Sequence, residues 1–171
     1  MNRAASREMM PLALLPHYTV RALGPDDRDG LALTFARMSS ESRRRRFLGP
    51  KPMLSERELT MLTDVDHVSH EALAAVDEGD GNIVGVARYN AWALRDGVAD
   101  LAVAVIDDWQ GRRLGTRLAI QTIQRAKLNG FSLLTGTTFW DNRAARRMMR
   151  TLGFNTVGYD GALLDMELRL T

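Results

Sequence analysis

The sequence predicts an α/β domain: a mixed, mostly antiparallel sheet with helices on both faces. Three observations predict it. Short strand-like runs separated by turn residues form a meander in the middle of the chain. The last of these, Val98–Ile106, is almost continuously apolar, as a strand buried on both faces must be. An amphipathic helical stretch and another strand follow it, which is the pattern of a parallel crossover.

Taken in order, Tyr18–Leu23 alternates apolar and polar residues and reads as a first strand. Gly24-Pro25-Asp26-Asp27 is a turn whose aspartates can cap the next helix. There Leu31, Phe35 and Met38 share one face. Ser39–Phe47 reads as a second short helix with a Ser cap, broken off by Gly49-Pro50 and Pro52. Ser55–Thr63 is a third, opened by a capping box of Ser55 and Glu58. Glu71–Asp77 and Ile83–Ala93 are strands joined by a turn at Glu78–Asn82, and Arg95-Asp96-Gly97 turns the chain into Val98–Ile106. A helix spans about Gly111 to Asn129. Gly115, Leu118, Ala119, Thr122, Ile123 and Ala126 lie on one side, with Arg113, Arg117, Gln121 and Gln124 on the other. Gly130 caps it. Phe131–Thr138 is a strand, Asn142–Leu152 a helix capped by Gly153, and Phe154–Tyr159 and Leu163–Leu170 are closing strands.

The composition bounds the function. With 171 residues, 45% hydrophobic and 26% charged, the chain fits one globular domain, residues 18–171, preceded by an arm over residues 1–17. Met9–Leu15 is apolar but short, is interrupted by Pro11, has Pro16 directly after it, and lacks the flanks of a signal peptide. No run is long enough to span a membrane, so no membrane partner is expected. Zero cysteines exclude disulfides, thiolate metal sites and a cysteine nucleophile, and fit a cytoplasmic location. A balance of 23 basic to 21 acidic residues argues against nucleic acid as a dedicated partner.

Chemistry concentrates at Gln110-Gly111-Arg112-Arg113-Leu114-Gly115-Thr116, between the buried strand and the amphipathic helix. A helix N-terminus presents unpaired N–H groups and the positive end of the helix dipole, and glycines let a phosphate approach the backbone. The segment reads either as an anion cradle for a diphosphate or as a glycine-lubricated turn with solvated arginines. It is neither a Walker loop nor a dinucleotide fingerprint.

Trp109–Thr116 resembles the acetyl-CoA motif of the GNAT superfamily, Gln/Arg-x-x-Gly-x-Gly/Ala. Asn142-Arg143-Ala144-Ala145 through Leu152-Gly153-Phe154 resembles that family's next motif, and the order of elements agrees with its fold from Tyr18 to Leu170. Ser39–Phe47 and Leu62–His67 further resemble the bacterial protein-lysine acetyltransferase branch. The resemblance implies a single-domain GNAT-like fold and transfer of an acetyl group from acetyl-CoA, as co-substrate, to an amine acceptor such as a protein lysine. With no cysteine available, transfer is direct, in a ternary complex. The backbone of Val103, Ala104 and Val105 would bond the pantetheine amides, with an N–H near Val105 stabilising the oxyanion. Gly111, Arg112, Arg113, Leu114, Gly115 and Thr116 would hold the diphosphate. Asn142 would contact the pantetheine end or cap its helix.

Two departures stand out. Arg113 occupies the place of the family's usual first glycine. Met149 stands where many members carry a Tyr that protonates the leaving thiolate. Asp100, the only acidic residue in Val98–Ile106, is the candidate base. The lysine branch carries a carboxylate there, usually the longer Glu, so Asp100 would act directly or through a bridging water. The other reading is a solvent-facing Asp at the strand end. Rival functions are a non-catalytic acyl-CoA-binding module, a small-molecule amine acetyltransferase, and a nucleic-acid-binding domain using Arg43 to Arg46.

That arginine run otherwise reads as a solvated helix edge with acidic neighbours, or as a surface that steers an acidic protein partner. His67 and His70 lack a third ligand, so no metal is expected. Trp92, Trp109 and Trp140 read as packing residues, and Met148, Met149 and Met166 as core or groove filler.

Overall fold

The computed structural model describes residues 17–171; the predicted arm, including Met9–Leu15, lies outside those residues apart from its last position. Seven strands form one sheet in the order β1-β2-β3-β4-β5-β7-β6. They are β1 (Tyr18–Ala22), β2 (His70–Asp77), β3 (Ile83–Ala91), β4 (Val98–Val105), β5 (Leu133–Phe139), β6 (Asn155–Asp160) and β7 (Leu163–Arg169). Every adjacent pair is antiparallel except β4 and β5, which are joined by the predicted crossover. The five helices are α1 (Arg28–Arg37), α2 (Ser40–Phe47), α3 (Glu56–Thr63), α4 (Leu114–Leu128) and α5 (Arg143–Thr151).

The alternation of β3 sends its side chains to opposite faces of the sheet and so to separate cores. Tyr89, Ala99 and Leu101 pack with Ala119 and Ile123 of α4 and Met149 of α5. Val86, with Ala72 and Ala74 of β2, packs with Leu31 of α1 and Leu59 of α3. α4 buries the stripe read from its sequence: Leu118, Ala119, Thr122, Ile123 and Ala126 are within 9% exposure while Arg117, Gln121 and Gln124 face water. The stripe recurs every three to four residues, so burying it holds the helix against the sheet.

Several expectations are corrected. Asp27 does not cap α1 through its side chain. Its carboxylate turns back to the Gly24 N–H at 2.9 Å and to Arg21, closing a 3-10 turn at Pro25–Asp27. β3 stops at Ala91: after a last cross-hairpin bond from Trp92 N–H to the Val98 carbonyl the chain turns through residues 93–97. α4 starts at Leu114, since Gly111 and Arg113 both have positive φ, of 75° and 63°. Trp109 is buried edge-on to Tyr18, but Trp92 and Trp140 are exposed rather than packed.

The arginine run is not a solvated edge. Arg43 donates to the carbonyls of Phe35, Ala36 and Pro52, tying α2 to the end of α1. Arg44 and Arg45 share Glu41, and the Arg44 guanidinium lies 4.1 Å from the Phe139 ring centroid on β5. All four arginines are partly buried.

Candidate active site

The ladder between β4 and β5 consists of only three pairs, Val98↔Leu133, Ala99↔Leu134 and Asp100↔Thr135. Beyond Asp100, β4 runs on to Val105 against β3 and β5 to Phe139 against β7, but the two no longer pair with each other. A wedge therefore opens in the middle of the sheet. Ala102, Val103, Ala104 and Val105 form one wall of it and are partly exposed, although β4 is a central strand. Ala102 and Ala104 spend their backbone groups on β3, whereas those of Val103 and Val105 point to the open side, lack a strand partner and are available to a ligand. The Val105 carbonyl is an exception, because Gln110 Nε2 donates to it at 3.0 Å.

The turn after β4 delivers the N-terminus of α4 to the mouth of the wedge. Gly111 and Arg113 in left-handed conformation curl the chain so that the N–H groups of Leu114, Gly115 and Thr116 begin the helix without hydrogen-bond partners among the described residues. Arg113 caps the helix by backbone alone, and its side chain is exposed. The positive φ explains why glycine is the usual residue there: a side chain in that region costs about 1 kcal/mol. A Cβ on Gly115 would lie 3.5 Å from Val103 Cγ1, 3.6 Å from Val105 Cγ2 and 3.5 Å from Met148 Sδ. Gly115 thus sits where β4, α4 and α5 converge.

Asp100 stands at the closed end of the wedge. It is partly buried, not a solvent-facing strand terminus. Thr135 Oγ1 is 2.9 Å from its Oδ1. Burial pushes its carboxyl above the usual range, and the nearby Asp165 adds to this. The Thr135 hydroxyl and the Arg46 guanidinium pull the other way without offsetting it. Asp165 is held by the Thr137 hydroxyl at 2.8 Å.

Two further sequence expectations resolve. Asn142 Oδ1 accepts from the Ala145 N–H at 3.2 Å and so caps α5, one of its two expected roles. Met149 is 6% exposed and lies over Gly136; a Cβ there would meet Met149 Cε at 2.6 Å. The residue in the family's acid position is thus a core residue, and the lack of a side chain at Gly136 makes room for it.

The sequence reading missed Asp107. Its carboxylate accepts from Ser39 N, Ser39 Oγ and Ser42 Oγ at 2.9, 2.7 and 3.0 Å, pinning the start of α2 to the β4–α4 turn. Partial burial raises its pKa, but these hydrogen bonds outweigh that and hold it below the usual range. Only the acidic pair following the strand hinted at this, and the partner lies 68 residues away. His67 and His70 do not converge on a metal: His67 Nδ1 meets Glu71, His70 faces Arg88, and the described residues contain no group of three candidate ligands.

Residues 37–154 match the model of the Acetyltransferase (GNAT) family. The chain belongs to that family. It is 34% identical over 140 residues to the acetyltransferase PA5475 of Pseudomonas aeruginosa, covering 81% of this chain and 75% of that one. It is 28% identical over 110 residues to the acetyltransferase Pat of Mycolicibacterium smegmatis, covering 64% of this chain but only 33% of the relative. The GNAT domain of S. lividans PAT superposes with a TM-score of 0.82 at 21% identity, over 95% of this chain and 100% of that domain. The protein yncA of Salmonella typhimurium, solved with its cofactor acetyl-CoA, gives 0.72 at 20% identity, over 90% and 94%. The mixed sheet with helices on both faces is the GNAT fold, and the chain is an acyl-CoA N-acyltransferase by family.

Proposed function

We propose that the wedge between β4 and β5 is where acetyl-CoA meets a primary amine. The carrying observation is the coincidence of strand backbone open on the β5 side at Val103 and Val105 with a helix N-terminus at Leu114–Thr116. The first suits the amides of pantetheine; the second suits a diphosphate, reached through Gly111, Arg112 and Arg113. Asn142 supports α5 beside this site through its cap.

Asp100 is the base. A lysine-like amine has a pKa near ~10.4 and must lose a proton to attack. Asp100, reaching it through water, accepts that proton. The amine nitrogen then bonds to the acetyl carbon, and a backbone N–H near Val105 stabilises the oxyanion. The C–S bond breaks as the intermediate collapses, and the thiolate leaves without an acid at Met149. The chain has no cysteine to carry an acyl intermediate, so transfer is direct within a ternary complex.

The acceptor is a protein lysine. Support comes from the resemblance of Ser39–Phe47 and Leu62–His67 to the protein-lysine branch. The inward use of Arg43 and the pairing of Arg44 and Arg45 with Glu41 remove any support from charge steering. A chain without cysteine suits the reducing cytoplasm. The test is CoA release from acetyl-CoA with a purified acyl-CoA synthetase as lysine acceptor, against polyamines and aminoglycosides. The synthetase should give the highest kcat/KM. A small polycation acetylated far faster overturns the lysine assignment, and no CoA release with any amine overturns the transferase reading in favour of a binding module.

A further inference from the structure

Between α1, α2, α3 and the sheet lies a cavity of about 40 Å³, walled by Phe35, Phe47, Leu54 and Leu62 and also lined by Arg46 and Arg88. It has room for roughly three water-sized groups. Two guanidiniums in an apolar enclosure are costly unless they are paired. Neither forms an ion pair within 4.0 Å among the described residues. Arg88 is 3% exposed and spends only Nη1, on the Leu62 carbonyl at 2.9 Å and His70 Nε2 at 3.3 Å. Its Nε and Nη2 have no partner there, and Arg46 makes no side-chain hydrogen bond. None of these nitrogens is sealed by packing, and both residues line the cavity.

The cavity adjoins the proposed transfer site. Ala104, on the open wall of the wedge, lines it, and Arg88 is paired across the ladder with Ala102 on that same wall. Both wall residues on this face are alanines, so short side chains separate the guanidiniums from the wedge. Asp100 is the acidic group that faces Arg46 from the sheet, and it leaves two cations against one carboxylate.

We propose that this cavity binds a carboxylate carried on a short carbon chain by one of the two substrates. The inference rests on the reading of the wedge as the transfer site. The carboxylate can be the distal group of a dicarboxylic acyl donor, which keeps the protein-lysine acceptor, or the carboxylate of an amino-acid acceptor, which replaces it. The carboxylate carries a full negative charge into a pocket with surplus N–H donors. Charge-assisted hydrogen bonds there favour it over an uncharged isostere by roughly 10- to 100-fold.

The experiment has a donor and an acceptor arm. The donor arm compares kcat/KM for succinyl-CoA and butyryl-CoA with one amine. The acceptor arm compares amino acids with their amides, using acetyl-CoA. The carboxylate form should win by ~10-fold or more in one arm, which identifies the source. Arg46→Gln should collapse that ratio and Arg46→Lys should keep part of it, with folding checked by thermal melting. Ratios near one in both arms overturn the proposal. If no substrate pair turns over, the decision passes to melting with butyrate and butyramide. Stabilisation by butyrate alone, lost in Arg46→Gln, supports the carboxylate site even though the transferase reading has failed; equal response to both ligands overturns it.

Discussion

Replacing Asp100 by Asn removes basicity while keeping size and polarity. The Asn carbonyl can still accept from Thr135, whose hydroxyl is 2.9 Å from the present carboxylate oxygen, and no ion pair within 4.0 Å among the described residues is lost. Loss of a general base costs about 10²-fold at the lower end of the usual range, or ~2.7 kcal/mol of barrier. The lower end applies because the carboxylate works through water. Stability should move the opposite way. The Asp100 pKa is raised in the fold, chiefly by burial. Its contribution to stability is therefore fully present below the unfolded value near ~3.9 and lost as pH rises through the folded value. At neutral pH the wild type carries the cost of a desolvated carboxylate, and Asn relieves it. Turnover measured by thiol release from pH 6 to 9, with melting on the same samples, should show an Asn variant ~100-fold slower and no less heat-stable. Turnover within about threefold of wild type would refute the base assignment, and a lowered melting temperature would refute the reasoning about burial.

Three further substitutions probe the scaffold. Gly115→Ala meets its neighbours at 3.5–3.6 Å, so CoA affinity by calorimetry should change little, whereas Gly115→Trp should abolish binding in a protein that still melts cooperatively. Arg113→Gly relieves a positive φ and should raise stability by about 1 kcal/mol, a few degrees in melting temperature for a chain of this size. Asp107→Ala removes three hydrogen bonds at the start of α2 and should cost ~1 kcal/mol. Because the Asp107 pKa is lowered, that difference should be present above the usual carboxylate range and fade as pH falls through the folded value.

The sequence carried the elements well because their signals are local. The Ser55–Glu58 capping box, the stripe on α4 and the glycine after it each lie within a few residues of what they determine. The conformation of Arg113 was harder to see, since an arginine does not announce a left-handed backbone as glycine would. What stayed hidden was long-range. Nothing in Arg43 to Arg46 distinguishes one arginine gripping α1 carbonyls from another facing a cavity; the packing of α2 decides that. The wedge itself depends on where β4 and β5 cease to pair, beyond Asp100 and Thr135, which no local pattern in either strand marks. Asp100 could be picked out by its isolation on an apolar strand, but its burial and its Thr135 partner required the fold.

The most direct measurement is a crystal structure of the protein with CoA bound. The account predicts pantetheine between β4 and β5 against Val103–Val105, and the diphosphate within hydrogen-bond reach of the Leu114, Gly115 and Thr116 N–H groups. CoA bound elsewhere, with the wedge left to solvent, would contradict it.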